Sequence, residues 1–186
     1  MNEVGRSIVL IGMMGAGKSS VGDCLARRTK FALHDTDAII ASNVGESIPE
    51  IFAKYGEDKF REVETRALRN LAKTKQAIIV TGGGIVLRDE NIDLLKRLGL
   101  VVWLDGNEET LFKRAARSGN RPLLHGRNPR KAFAQILQTR EQHYAKVAHL
   151  RVDTSLLTDE EVAIAVLSKL RSSYNRKPGS AISTTV

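Results

Sequence analysis

Apolar residues fall along this chain in two rhythms. Short continuous runs at 8–11, 31–34, 77–81, 100–104 and 149–152 have the length of strands covered on both faces. Between them the apolar positions recur every three or four residues, as in Val21, Cys24 and Leu25 or in Phe60, Val63, Ala67 and Leu71, the period of a helix with one face on a core. Strand and helix alternating in this way predict an α/β fold, a parallel sheet with helices on both sides. Polar residues mark helix starts: Ser47 with Pro49, Asn107 before Glu108 and Glu109, Asn128 with Pro129, and Thr158 with Glu161. The stretch 175–186 has no periodicity and predicts a disordered tail behind a single domain at 1–174.

In an open α/β sheet ligands bind beyond the carboxyl ends of the strands, so the residues that follow each run carry the candidate chemistry. The first run opens into Gly12-Met13-Met14-Gly15-Ala16-Gly17-Lys18-Ser19 and then a helical pattern. Glycines there let successive N–H groups turn around an anion, Lys18 adds a point charge for the β- and γ-phosphates, and the Ser19 hydroxyl suits Mg²⁺. The helix N-terminus adds its dipole to the same place. A nucleoside triphosphate with Mg²⁺ is the implied ligand.

The second run ends at Asp35-Thr36-Asp37. On an extended segment the two carboxylates would share one face, where one could orient the Mg²⁺ water shell and the other accept the proton of an attacking hydroxyl. Equally, Asp37 would serve as the cap of a helix beginning at Ala38. The third run ends at Gly82-Gly83-Gly84, whose cost in chain entropy favours a ligand contact over a plain turn. The fourth ends at Asp105, a rival to Asp35 for the Mg²⁺ role but followed by Gly106 and Asn107, so a turn residue; Trp103 reads as core.

Other charged residues stand off the strand ends. Arg61 and Glu64 are three apart on a helix and can pair, either as a solvated ion pair or within a site. The segment 116–128 carries Arg117, Arg121 and Arg127 among flexible residues, the composition of a lid over a transferring phosphoryl group or of a basic surface loop. Arg140 and Tyr144 share a helix face, and a nucleotide base could lie near Asp153-Thr154-Ser155. The four histidines lack metal-ligand spacing.

Composition narrows the class further. A net charge of +8 raises polyanion binding, but the basic residues are dispersed and aromatics are only 5%, so small anionic ligands explain the sign better than nucleic acid. The single cysteine, Cys24, excludes an internal disulfide and sits at a packing position. With no run of membrane-spanning length and no signal-like opening, a cytoplasmic protein is expected.

Taken together, Gly12 to Ser19, Asp35-Thr36-Asp37, Phe60-Arg61-Glu62-Val63-Glu64, Thr81-Gly82-Gly83-Gly84, Arg121-Pro122-Leu123-Leu124 and the Arg140 to Tyr144 segment resemble the shikimate kinases in order and spacing. The resemblance implies a three-layer P-loop NTPase fold like the nucleoside monophosphate kinases, with a five-stranded parallel sheet in the order 2-3-1-4-5. It implies a substrate-binding segment at about 37–64 and a mobile lid. The implied reaction moves the γ-phosphoryl of ATP to the 3-hydroxyl of shikimate, on the route to aromatic amino acids. Asp37, Arg61, Gly83 and Arg140 would hold shikimate, Gly15, Ala16, Gly17, Lys18, Ser19 and Ser20 with Arg121 would hold ATP, and Ser19 would ligate Mg²⁺ with Asp35 acting through water. Asp37, Lys18 and Arg121 would carry the chemistry. A monomer acting on small molecules, with neither nucleic acid nor membrane as partner, is expected.

Overall fold

The computed structural model describes residues 6–117 and 127–175. Five strands form its sheet: β1 (Ser7–Ile11), β2 (Ala32–Asp35), β3 (Ala77–Val80), β4 (Gly99–Asp105) and β5 (Leu150–Asp153). Their order is β2-β3-β1-β4-β5 and every pair is parallel. Parallel neighbours need crossovers, and these are helices: α1 (Lys18–Thr29), α2 (Thr36–Val44), α3 (Ile48–Leu71), α4 (Asp89–Leu98), α5 (Glu108–Arg117) and α6 (Pro129–Val147), with α7 (Asp159–Asn175) after the last strand. The central strands are buried except for the partly buried Leu100, and Val9, Leu10, Ile78, Ile79, Val101, Val102 and Trp103 make the core between the helical layers. Strand β2 departs from the doubly covered pattern, because it is an edge strand with Ala32 and Leu33 exposed.

Register decides where the site is. Leu10 of β1 and Asp35 of β2 both stand opposite Val80 of β3, so three strands end at one level and their following residues share one crevice.

The expected helix starts are present. Ser47 and Glu50 form a capping box at the head of α3, Asn107 Oδ1 accepts from Thr110 N at 2.8 Å, Asn128 Oδ1 from Lys131 N at 3.1 Å, and Thr158 pairs with Glu161. Helix α3 joins the start at Ser47 to the apolar stripe of Phe60, Val63, Ala67 and Leu71 in one element. Two helical pieces meet at Gly56, which has φ 78° and ψ 175°, and the second piece carries Glu57, Arg61 and Glu64 on a new axis. A small separate cluster of Ile40, Ile51, Phe60 and Ala67 fixes α2 to α3. The lid expected at 116–128 and the tail at 175–186 fall almost wholly outside the described residues.

Candidate active site

A cavity of about 630 Å³ lies at the carboxyl ends of β1, β2 and β3. Its floor is the loop between β1 and α1, in which Gly12, Gly15 and Gly17 stand at positive φ. Helix α1 starts at Lys18, so the N–H groups of its first turn face an anion bound over the loop. Ser19 and Ser20 are exposed in that turn, and Ala16 is buried beneath it. The Lys18 ammonium donates to the carbonyl oxygens of Gly12 at 2.9 Å and Met13 at 3.1 Å, which holds it over the loop.

Both aspartates line the cavity, but by a geometry other than the expected extended one. Asp35 ends β2 and is itself the cap of α2, its Oδ1 accepting from Asp37 N at 2.9 Å and Ala38 N at 3.2 Å. Asp37 therefore stands inside the first helical turn and is not a cap. The shared face comes from a strand-to-helix corner, because a polar residue at a strand end is worth more as a helix cap than as one more extended residue.

The three glycines after β3 explain how the remaining charged groups assemble. A methyl group on Gly82 would lie 2.8 Å from Asp37 Oδ1 and 3.0 Å from Glu64 Oε1; on Gly83 it would lie 3.3 Å from Arg140 Nη1. On Gly84 it would lie 2.2 to 2.5 Å from Nη2, Cζ and Nη1 of Arg61. Three atoms of one guanidinium within that distance mean that the end of Arg61 packs closely against Gly84. Gly82 thus leaves room for two carboxylates and Gly83 and Gly84 for one guanidinium each, so that Asp37, Arg61, Glu64 and Arg140 come together from helices α2, α3 and α6. Asp37, Gly82 and Gly83 form the cavity wall here, while Arg61 and Arg140, each only 6% exposed, lie just behind it.

Arg61 and Glu64 are not a solvated pair. Arg61 Nη1 donates to Glu64 Oε2 at 2.8 Å and both side chains are buried. Burial pushes the Glu64 carboxyl up to about 7 against the pull of Arg61, with the Asp37 charge adding to the rise and Arg140 opposing it. Glu64 Oε1 accepts no hydrogen bond. On the other side of Arg61, Nε and Nη2 both donate to Glu57 Oε1, at 3.3 and 2.9 Å. One turn beyond Arg140, the Tyr144 hydroxyl donates to the Gly83 carbonyl at 2.5 Å. Burial pushes that phenol up to about 12, so it keeps its proton and pins the glycine turn.

At its other end the cavity is edged by Arg114, Leu157, Thr158 and Asp159, rather than by Ser155. Ser155 is engaged elsewhere, its hydroxyl accepting from Asn107 N at 2.8 Å. Arg114 is held by Thr154, donating to its hydroxyl at 3.2 Å and its carbonyl at 3.0 Å. No local pattern marks Arg114, since its partner lies forty residues further along. Asp105 is bound by Arg151, whose guanidinium also covers the Trp103 ring, and stands outside the cavity wall. Arg121 lies outside the described residues. Among the described residues no group of three His, Cys, Asp or Glu is placed to hold a metal ion, and no helix is long and apolar enough to cross a membrane. His149 has a structural use, its Nδ1 accepting from Val101 N at 3.0 Å.

Comparison with known proteins gives one consistent result. A family model described as shikimate kinase matches residues 14–171. A shikimate kinase of Thermodesulfovibrio yellowstonii is 41% identical over 172 residues, covering 92% of this chain and 99% of that protein. One from Moorella thermoacetica is 44% identical over 165 residues, covering 89% of this chain and 92% of its own length. Among solved structures, shikimate kinase from Acinetobacter baumannii in complex with shikimate superposes with a TM-score of 0.88 at 36% identity, covering 94% of this chain and 97% of the other.

Proposed function

Because the chain belongs to the shikimate kinase family, we propose that it transfers the γ-phosphoryl of ATP to the 3-hydroxyl of shikimate, in aromatic amino-acid biosynthesis. One observation carries the reading beyond membership. The cavity joins a phosphate loop at one end to a carboxylate with two buried guanidiniums at the other, which suits a donor that is a triphosphate and an acceptor that is both a hydroxyl compound and an acid.

The roles follow from the chemistry of each group. Main-chain N–H groups of Gly15, Ala16, Gly17, Lys18, Ser19 and Ser20 bind the phosphates, and Lys18 exchanges its carbonyl partners for the β- and γ-phosphate oxygens. The base lies towards Arg114 and Leu157. Arg61 and Arg140 take the acceptor's carboxylate, for which a guanidinium fork is the best-matched donor. Gly83, pinned by Tyr144, offers its backbone to the ring hydroxyls. Asp37 accepts the proton of the attacking hydroxyl. Arg121 belongs to the same assignment, as a cation over the transferring phosphoryl group.

Ser19 and Asp35 fit Mg²⁺. Both present oxygen to the cavity, and Asp35 Oδ1 is committed to two backbone N–H groups, so a contact through water suits it better than a direct one. When bound, Mg²⁺ would neutralise charge on the β- and γ-phosphates. The enzyme works as a cytoplasmic monomer in this reading.

The test is ATP-coupled turnover with shikimate, gluconate and nucleoside monophosphates offered in parallel. Shikimate is expected to give a kcat/KM at least about a hundredfold above the others, which one lost buried hydrogen-bonding group or charge accounts for. Equal or better turnover of another acceptor overturns the reading. Run on Asp37→Asn, the same assay is expected to lose about a hundredfold or more in kcat with ATP affinity retained; unchanged turnover removes Asp37 as the base.

A further inference from the structure

Arg61 is seated by three neighbours that leave one of its edges unaccounted for. Glu64 holds Nη1 from the buried side, the guanidinium packs closely against Gly84, and Cζ stands 5.2 Å from the centre of the Phe60 ring. These contacts fix its position. The edge formed by Nε and Nη2 is one of the two that can grip a carboxylate with two parallel hydrogen bonds, and Glu64 already takes Nη1 of the other. Here the Nε and Nη2 edge is covered by Glu57, a carboxylate of the protein itself.

That cover is a poor match for the fork. Both nitrogens converge on the single oxygen Oε1, so the pairing is not the two-oxygen kind, and the Glu57 side chain is 52% exposed. Its hold is that of a half-solvated ion pair, whereas the buried Glu64 makes the tighter anchor. Glu57 also follows directly on Gly56, where the helix axis breaks, and a methyl group built on Gly56 meets nothing within 4 Å. With 52% of the Glu57 side chain already exposed, turning it into solvent costs little packing.

We propose that Glu57 is an internal competitor for the acceptor's carboxylate: it occupies the Nε and Nη2 edge of Arg61 in the free enzyme and gives it up when the acid binds. The proposal rests on the reading of Arg61 as a carboxylate holder. It explains why Arg61 is only 6% exposed behind the wall of a site meant to bind an anion. It also gives the site a selective property. An acceptor with two carboxylate oxygens replaces two hydrogen bonds that crowd one oxygen with two parallel ones to separate oxygens, while an acceptor without a carboxylate must uncover Arg61 and offer no charge in return.

The alternative is that Glu57 merely props Arg61 in place, and the two ideas differ in sign. Shikimate binding is measured by titration calorimetry on the full chain, wild type against Glu57→Gln and Glu57→Asp, which either weakens or shortens the competing group. Both variants are expected to bind shikimate about two- to fivefold more tightly than wild type, the range that loss of a partly exposed ion pair supplies. Glu62→Gln is the control for charge alone, since Glu62 is exposed on the same helix and pairs with Lys59. It is expected to leave the affinity unchanged. Weaker or equal binding by the Glu57 variants overturns the proposal, and so does an equal gain in Glu62→Gln. A wild-type protein that binds no shikimate fails at the earlier step and overturns the reading of Arg61 itself.

Discussion

At the scale of single residues, the turn Gly82-Gly83-Gly84 and the charges against it carry most of the argument. Gly84→Ala would drive a methyl group into the Arg61 guanidinium, where contacts of 2.2 to 2.5 Å leave no room. Arg61 must then shift by an ångström or more, and we expect KM for shikimate to rise about tenfold or more with KM for ATP little changed. Steady-state kinetics decides it, since equal loss for both substrates would mean a general fold defect. Glu64 gives a pH prediction. Its carboxyl is raised to about 7 in the folded protein from the usual carboxylate value of 4.5, so the folded state holds a proton that the unfolded chain has released. Stability from this group is present below about 4.5 and lost as pH rises towards 7. Glu64→Gln cannot lose it, and the stability of the variant relative to wild type should climb over that interval by up to about 3 kcal/mol. The attraction of Arg61 is already contained in that raised pKa, and any change in hydrogen bonding by the neutral side chain adds an offset independent of pH, so the slope in urea unfolding from pH 4.5 to 8 is the quantity to read; parallel curves would dismiss the assignment. That the glycines admit a close approach is legible in the sequence. Which side chains approach does not follow from local pattern, because Asp37, Arg61 and Arg140 come from distant helices and only the tertiary packing brings them to adjacent glycines; it is the family resemblance that groups them with Gly83.

At the scale of elements, local rules succeeded where the partner is a neighbour in sequence. The caps at Ser47, Asn107, Asn128 and Thr158 stand where their chemistry puts them. Asp35 and Asp37 show the limit of such rules. Spacing alone treats the pair as extended, and the structure ends the strand at Asp35 because that side chain satisfies two N–H groups of α2. Glu57 carried no signal at all, since an acidic residue four before an arginine is ordinary on a helix. The hinge of α2 and α3 on their own small core has a functional consequence. Ile51 is 1% exposed in that cluster, which is separate from the core that takes Met13, Met14 and Ala16 of the loop between β1 and α1. Ile51→Ala should cost about 2 to 4 kcal/mol of stability by removing buried methylenes and leaving a cavity. The arm carrying Asp37, Arg61 and Glu64 loosens with it, so shikimate affinity should fall several-fold while nucleotide affinity, measured on the same sample by fluorescence or calorimetry, stays within about twofold. A matched fall in both would show that the two ends of the site do not rest on separate cores.

At the scale of the whole molecule, the charge and the sheet point to the same partner. A net charge of +8 on 186 residues would suit a nucleic-acid binder if the cations shared a face. Many are instead paired with acids: Arg27 and Arg28 with Glu160, Lys54 with Glu46, Arg69 with Glu90, and Arg130 with Glu109. Arg61 and Arg140 are buried, where a phosphate backbone cannot reach them but a small acid can. The order β2-β3-β1-β4-β5 sets the loop after β1 between that strand's two neighbours, so the cavity opens over the inner strands of the sheet, where the proposed reading brings the triphosphate and the acceptor together. Turnover should then answer to the small acid and be indifferent to a polyanion. Adding poly(U) or duplex DNA to enzyme, Mg²⁺ and ATP should leave ATP hydrolysis at its basal level, while shikimate should raise ADP release by about a hundredfold or more, the difference between water and an oriented hydroxyl as acceptor. A nucleotide polymer that stimulated ADP release as strongly as shikimate, with an effect that vanished by about 200 mM salt, would instead mean that the exposed cations act together through released counterions.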